Sequence, residues 1–216
     1  MNTIAVIDYG GSNLRSVARA LNTVSEKSDR IIITSDKTVV RNAAKVVFPG
    51  QGAIGNCMDY LFQTDLIGAI KEAASTVPFL GICLGLQSLV TRSEEDGGTS
   101  GLDLFPGSVK RFPRKVHFAP DGNRIKIPHM GWNTVDWKKA HPLLNGIAAN
   151  ARFYFVHSYY VEIEDDSLSV GRTDYVFPFT SAIAIGNVFA TQFHPEKSAH
   201  DGLRLLRNFL LWRGEI

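Results

Sequence analysis

Two cysteines, Cys57 and Cys83, are all the thiol chemistry in this chain of 216 residues. They form no C-x-x-C pair, which argues against a disulfide framework or a thiolate metal site and fits a reduced, cytoplasmic protein. Charge of one sign is equally scarce. Lys and Arg number 23 against 21 Asp and Glu, a formal net charge of +2. That is far from the basic excess of a nucleic-acid protein, so small molecules or proteins are the expected partners. No apolar run approaches a membrane span, and no membrane partner is expected. The N-terminal Met1-Asn2-Thr3-Ile4-Ala5-Val6-Ile7-Asp8 has no basic flank and meets an acid early, so it reads as a first strand rather than a signal peptide. Neither H-E-x-x-H nor a His/Cys cluster of zinc spacing occurs, and no metal or cofactor is expected. Linkers, repeats and low-complexity segments are also missing, which leaves one domain over residues 1–216.

Hydrophobic residues make up 44% of the chain, enough for a sizeable core. Ile4, Ala5, Val6 and Ile7 form a first buried strand, Ile31, Ile32 and Ile33 a second, and Lys45, Val46, Val47 and Phe48 a third. Between them Leu14, Val17, Ala18 and Leu21 mark a helix; after them Ile54, Met58, Leu61 and Phe62, then Leu66, Ile67, Ile70 and Ala74, mark two more. Strands alternating with helices define an α/β chain with a central, mainly parallel sheet flanked by helices. The second half changes character. Residues 124–127 alternate, residues 152–161 are strongly aromatic, and Gly186-Asn187 reads as a hairpin turn, so an antiparallel extension is expected there. Residues 203–212 close the chain as an amphipathic helix. Three polar stretches carry no assigned ligand. The loop Asp8-Tyr9-Gly10-Gly11-Ser12-Asn13 matches neither G-x-G-x-x-G nor the P-loop. The acids of residues 93–101 read as a solvated face, and the basic groups Lys110, Arg111, Arg114 and Lys115 as a solvated hairpin rim.

The sharpest local signal is Gly81-Ile82-Cys83-Leu84-Gly85. An apolar strand, Phe79-Leu80-Gly81-Ile82, stops at a cysteine, and Leu86, Leu89 and Val90 resume at helical spacing. Glycines two residues to either side of Cys83 permit the close strand-to-helix turn of a nucleophile elbow. The first turn of a helix favours negative charge, hence the reactive thiolate. Cys57 lies in an amphipathic helix and reads as core. A second signal is Thr191-Gln192-Phe193-His194-Pro195-Glu196. Proline restricts its own φ and the residue before it, so the segment is expected to be extended, with His194 and Glu196 on one side. Cysteine, histidine and carboxylate are then nucleophile, proton carrier and orienter. Pro49-Gly50-Gln51-Gly52 ends the third strand, and its glycines leave backbone N–H groups free to turn toward an anion.

Together these motifs resemble the class I glutamine amidotransferase family over nearly the whole chain. The likeness is greatest to the glutaminase subunits of imidazole glycerol phosphate synthase, through Asp8-Tyr9-Gly10, Pro128-His129-Met130-Gly131-Trp132-Asn133, Phe155-Val156-His157-Ser158-Tyr159 and Lys197 after His194-Pro195-Glu196. The resemblance implies the flavodoxin-like fold of that class and hydrolysis of glutamine to glutamate and ammonia by Cys83, His194 and Glu196. It implies an oxyanion hole from Gly50, Gln51, Gly52 and Leu84, and glutamine binding by Gly52, Gln87, Ser158 and Tyr159. It also implies a heterodimer with the cyclase subunit, a (β/α)₈ barrel that uses the ammonia in histidine biosynthesis, docked on Met130, Trp132, Asn133, Tyr154 and Lys197. Gln51 departs from the small apolar residue of many relatives. Two alternatives stay open: a glutaminase of the same class serving a pyridoxal phosphate or amino-sugar synthase, and a non-catalytic binding protein of the same fold.

Overall fold

A computed structural model of the chain describes residues 2–113, 117–118 and 124–214. Arg114 and Lys115 lie outside the described residues. The first part runs β1 (Asn2–Ile7), α1 (Leu14–Val24), β2 (Asp29–Thr34), α2 (Lys37–Arg41), β3 (Lys45–Phe48), α3 (Ile54–Gln63), α4 (Ile67–Thr76), β4 (Phe79–Ile82) and α5 (Leu84–Leu89). Short strands follow: β5 (Val90–Ser93), β6 (Thr99–Ser100), β7 (Phe105–Arg111), β8 (His117–Phe118), β9 (Arg124–Ile125), β10 (His129–Thr134) and β11 (Asp136–Trp137). The chain closes with β12 (Arg152–His157), β13 (Tyr159–Ile163), β14 (Ser169–Asp174), β15 (Pro178–Ile185), β16 (Val188–Thr191) and α6 (Ala199–Leu211).

Five strands in the order β2-β1-β3-β4-β16 are parallel, and β15, β13, β7, β5 and β6 continue the same sheet beyond β16. The added strands pair antiparallel except β7 with β5, so the expected parallel core with an antiparallel extension is what the chain forms. The alternation of side chains along a strand explains the layering. Ala5, Ile7, Val46, Phe48 and Phe79 face a core that includes Ile54, Leu61 and Ile70 of α3 and α4. Ile4, Val6, Val47, Leu80 and Ile82 face another with Val17 and Leu21 of α1 and Leu205, Leu206 and Phe209 of α6. β2 was expected to be buried; it lies at the sheet edge, and Ile33 is 37% exposed, because only one neighbour covers it. Gly186-Asn187 makes the expected two-residue turn, joining Ile185 to its partner Val188.

The strand order places the site. A ligand cleft in such a sheet lies beyond the C-terminal strand ends, at the point where strand order reverses, here between β1 and β3. The loops after β1, β3, β4 and β16 all emerge there. β4 and β16 run in register, with Ile82 opposite Thr191, so the cysteine after one and the histidine after the other leave the sheet side by side.

Candidate active site

Cys83 occupies the joint between β4 and α5 with φ 54° and ψ −100°, a conformation that a non-glycine residue holds only under constraint. The two flanking glycines are required by space. A Cβ on Gly81 would stand 2.9 Å from that of Ala190, and one on Gly85 only 1.8 Å from the Phe48 carbonyl oxygen. The helix backbone therefore presses on the end of β3, and this closeness holds Cys83 at the edge of the sheet. Its N–H donates to Thr191 O at 2.7 Å. The fully buried Gln192 lies beside the sulfur, its Nε2 3.6 Å from Sγ. α5 is shorter than expected: Val90 already belongs to β5.

His194 is extended at φ −103° and ψ 96°, as expected, but residues 195–197 coil into one 3₁₀ turn instead of continuing the extension. The fixed φ of Pro195 suits the first position of a helical turn as well as a strand. The pairing survives: His194 Nδ1 and Glu196 Oε1 are 2.8 Å apart and both side chains are fully buried. Two anchors hold the segment to β12. The His194 N–H donates to Tyr154 O, and the Ser198 hydroxyl donates to His194 O while accepting from the Tyr154 N–H. Nε2 of His194 is left without a hydrogen-bond partner among the described residues and faces the Cys83 thiol across the site. Burial alone would lower the imidazole pKa, but Cys83 and Glu196 outweigh it and push it up to about 10. The arrangement favours an imidazolium at neutral pH.

The glycine loop after β3 meets the elbow. A Cβ on Gly50 would lie 2.6 Å from both Leu84 Cβ and Tyr9 Oη, and Gly52 has φ +109°. In this conformation the expected oxyanion donors point elsewhere. The Leu84 N–H donates to Gly50 O at 3.4 Å, and the Gln51 N–H donates to Tyr9 Oη at 2.9 Å. Tyr9 Oη in turn donates to Gln51 O at 3.2 Å. Burial, with Cys57 and Cys83 nearby, holds the phenol pKa far above its ordinary value, so Tyr9 keeps its proton. Cys57 is core as expected, 1% exposed.

A cavity of about 460 Å³ opens over the sulfur, lined by Gln51, Gly52, Cys83, Leu84, Gln87, Ser158 and Tyr159 among others. These predicted residues are thus brought together. Gln87 is 5% exposed, and its Nε2 donates to Tyr159 O and Gln192 Oε1, so any ligand contact falls to its carbonyl oxygen. Glu95 also lines the cavity, which corrects the expectation of a solvated acidic loop. Its half-buried carboxylate accepts from the N–H of Ile54 at the start of α3; burial raises its pKa and that hydrogen bond partly offsets the rise. No sequence pattern separated Glu95 from its acidic neighbours Glu94 and Asp96.

Tyr154 and Lys197 line the same cavity and connect it to an adjoining face. There Trp132 and Tyr154 are cross-strand partners with rings edge to face at 6.2 Å, and Lys197 Nζ lies 6.0 Å from the Tyr154 ring centroid. Met130 is 62% and Trp132 44% exposed, which excludes a core role for the tryptophan. Asn133 differs: its side chain turns inward to donate to Asp174 O and to contact His129.

A cysteine on a strand-to-helix elbow thus stands against a buried His–Glu pair at the ends of parallel strands. The family described as class I glutamine amidotransferase matches residues 5–212, and the chain belongs to it. A crystal structure of a glutamine amidotransferase shares the fold at a TM-score of 0.70 and 14% identity, over 96% of this chain and 97% of that one. Another, from Thermotoga maritima, aligns at a TM-score of 0.60 and 18% identity, over 94% and 80%. Sequence relatives narrow the assignment. Imidazole glycerol phosphate synthase subunit HisH of Aromatoleum aromaticum is 52% identical, covering 98% of this chain and 99% of its own. Subunit HisH of Dechloromonas aromatica is 53% identical, covering 98% and 97%. The chain is of the HisH kind, the glutamine amidotransferase subunit of this enzyme of histidine biosynthesis, and the other synthase branches give way to it.

Proposed function

We propose that residues 1–216 are a single glutaminase domain in which Cys83, His194 and Glu196 hydrolyse glutamine and pass the ammonia to a cyclase subunit. The observation that carries the reading is the buried His194–Glu196 pair aimed at a cysteine on a strained elbow. Cys83 Sγ attacks the side-chain amide carbon of glutamine. His194 gives its proton to the departing nitrogen, which leaves as ammonia, and a thioester remains. His194 then takes a proton from water as the water attacks the thioester, and glutamate leaves as the C–S bond breaks and the Cys83 thiolate reforms beside the imidazolium. Glu196 keeps Nδ1 protonated and Nε2 toward the reaction throughout.

Substrate recognition follows from the cavity lining. Glu95 supplies a carboxylate for the α-ammonium of glutamine, while Gly52, Gln87, Ser158 and Tyr159 surround the rest. The oxyanion forms where Gly50 O now lies. Rotating the Gly50–Gln51 peptide would withdraw that carbonyl, free the Leu84 N–H and bring the Gln51 N–H inward, at the expense of the bond to Tyr9. Glycines at 50 and 52 make the rotation sterically accessible. A cyclase docked on Met130, Trp132, Tyr154 and Lys197 sits over the cavity mouth, so it can both favour the rotated peptide and receive ammonia. Exposed aromatic anchors are typical of such contacts.

Glutamate release by the chain, alone and with a cyclase subunit plus its nucleotide ligand, tests this reading. Strong stimulation that disappears in Cys83→Ala is the expected result. Activity that survives in Cys83→Ala would exclude the triad, and activity indifferent to the cyclase would exclude the coupling.

A further inference from the structure

Asn13 ends the loop after β1, a segment whose sequence carried no assigned role. The residue is only 7% exposed. It stands at the N-cap of α1, where an asparagine ordinarily accepts a hydrogen bond from a helix N–H, yet it makes no such cap. Its Nδ2 instead donates across the fold to Glu196 Oε1. That oxygen is the one facing His194 Nδ1. The other oxygen, Oε2, is buried without a partner among the described residues. Two donors at one oxygen therefore hold the carboxylate, and one of them is Asn13.

We propose that Asn13 is a positioning residue for the triad: its carboxamide fixes the rotamer of Glu196 so that Oε1 stays aligned on His194 Nδ1. A buried carboxylate reduced to one donor loses part of its hydrogen bonding and is free to turn. The amide orientation follows from chemistry, since a carboxamide oxygen facing a carboxylate would repel it. The proposal rests on the reading of Cys83, His194 and Glu196 as the reacting groups. It goes beyond that reading by assigning to the β1–α1 loop the fourth link of the chain.

The test measures glutamine hydrolysis across pH for the chain in complex with a cyclase subunit, comparing Asn13→Ala, Asn13→Asp and Cys83→Ala with the parent. Losing one charge-assisted hydrogen bond predicts that Asn13→Ala lowers kcat roughly ten- to hundredfold with KM unchanged. Asn13→Asp, isosteric with the parent, sets two carboxylates against each other and is at least as slow at neutral pH. As pH falls, the introduced carboxyl takes a proton, donates as the amide did, and recovers activity relative to Asn13→Ala. The titratable groups acting on His194 are Cys83, Glu196 and His157, and burial pushes His157 down to about 3, so it stays neutral through the recovery. A parental kcat in Asn13→Ala, a loss confined to KM, or identical pH profiles for the two variants would overturn the proposal. If Asn13→Ala does not fold, a pH-independent ratio of Asn13→Asp to parent overturns it alone. Full activity in Cys83→Ala would instead remove the triad itself.

Discussion

The two halves of the proposed catalytic centre are built to different standards of rigidity. On one side, His194 and Glu196 are fully buried, hydrogen-bonded to each other and tied through Ser198 to β12. On the other, Gly50 and Gly52 flank a peptide whose N–H is held by one phenol and whose carbonyl occupies the Leu84 donor. In the proposed mechanism the proton-transfer side is already assembled in this conformation, and the charge-stabilising side is not. An oxyanion donor acts only when it points at the developing charge. On the proposed mechanism, such a chain is restrained at the loop and not at the cysteine, and the expected consequence is low ammonia production without a partner.

The largest effect should come from breaking the rigid half. Glu196→Gln keeps the size of the side chain but removes the charge and offers an amide to Nδ1, so the imidazole no longer holds the productive tautomer. By the cost of the equivalent change in serine proteases, kcat falls by about 10⁴-fold whether or not the cyclase is bound. The pH profile gives an independent reading. With a His194 pKa near 10, the imidazolium needed to protonate the leaving nitrogen persists through neutral pH and is lost only as pH rises through that value. Removing the carboxylate takes away one of the groups that raises it, so the alkaline limb of kcat should move to lower pH. A limb that stays in place would show that another group controls it.

A smaller effect should separate backbone from side chain in the glycine loop. Gln51→Pro deletes the N–H that would line the oxyanion hole, and one such donor is worth roughly 10²–10³ in kcat. The loss should appear in the cyclase-stimulated rate while cysteine labelling by a glutamine-analogue electrophile survives. Gln51→Ala keeps the N–H and should retain most of the stimulation. Equal losses in the two variants would mean that the glutamine side chain, and not its peptide, matters.

What the sequence revealed divides along the same line as the rigidity. The elbow was legible because strand, cysteine and flanking glycines are contiguous, and because Gly85 is demanded by a backbone approach that leaves no room for a Cβ. The His194–Glu196 pair was legible for the same reason, although the turn after Pro195 was not, since proline's φ suits both extended chain and 3₁₀ helix. Contacts between distant segments were invisible. Tyr9 reaches Gln51 and Asn13 reaches Glu196 only because the sheet sets β1 beside β3 and brings α1 against the turn after β16. Glu95 was hidden in a run of acids, and its inward orientation depends on the start of α3. Asn133 lies in a motif with an exposed tryptophan, but its side chain is drawn to the Asp174 carbonyl and so turns from the face that Trp132 occupies.

The smallest expected effect bears on the restraint itself. Tyr9→Phe removes the oxygen that accepts from the Gln51 N–H and donates to its carbonyl, while the ring still covers Gly11, where an added Cβ would lie 2.5 Å from it. Of these two bonds, the one from the Gln51 N–H belongs to the Gly50–Gln51 peptide that turns; one neutral hydrogen bond is worth about 1 kcal/mol, so its loss should shift the equilibrium toward the rotated peptide by about fivefold. The activity of the isolated chain should rise by that factor, because the rotated form is a minority there. The cyclase-stimulated rate should barely change, since the partner has already drawn the peptide round, and the ratio of stimulated to basal activity therefore contracts. A proportional change in both rates would locate Tyr9 in the chemistry and not in the restraint. A fall in basal activity alone would mean that the phenol supports the productive loop and does not hold it back.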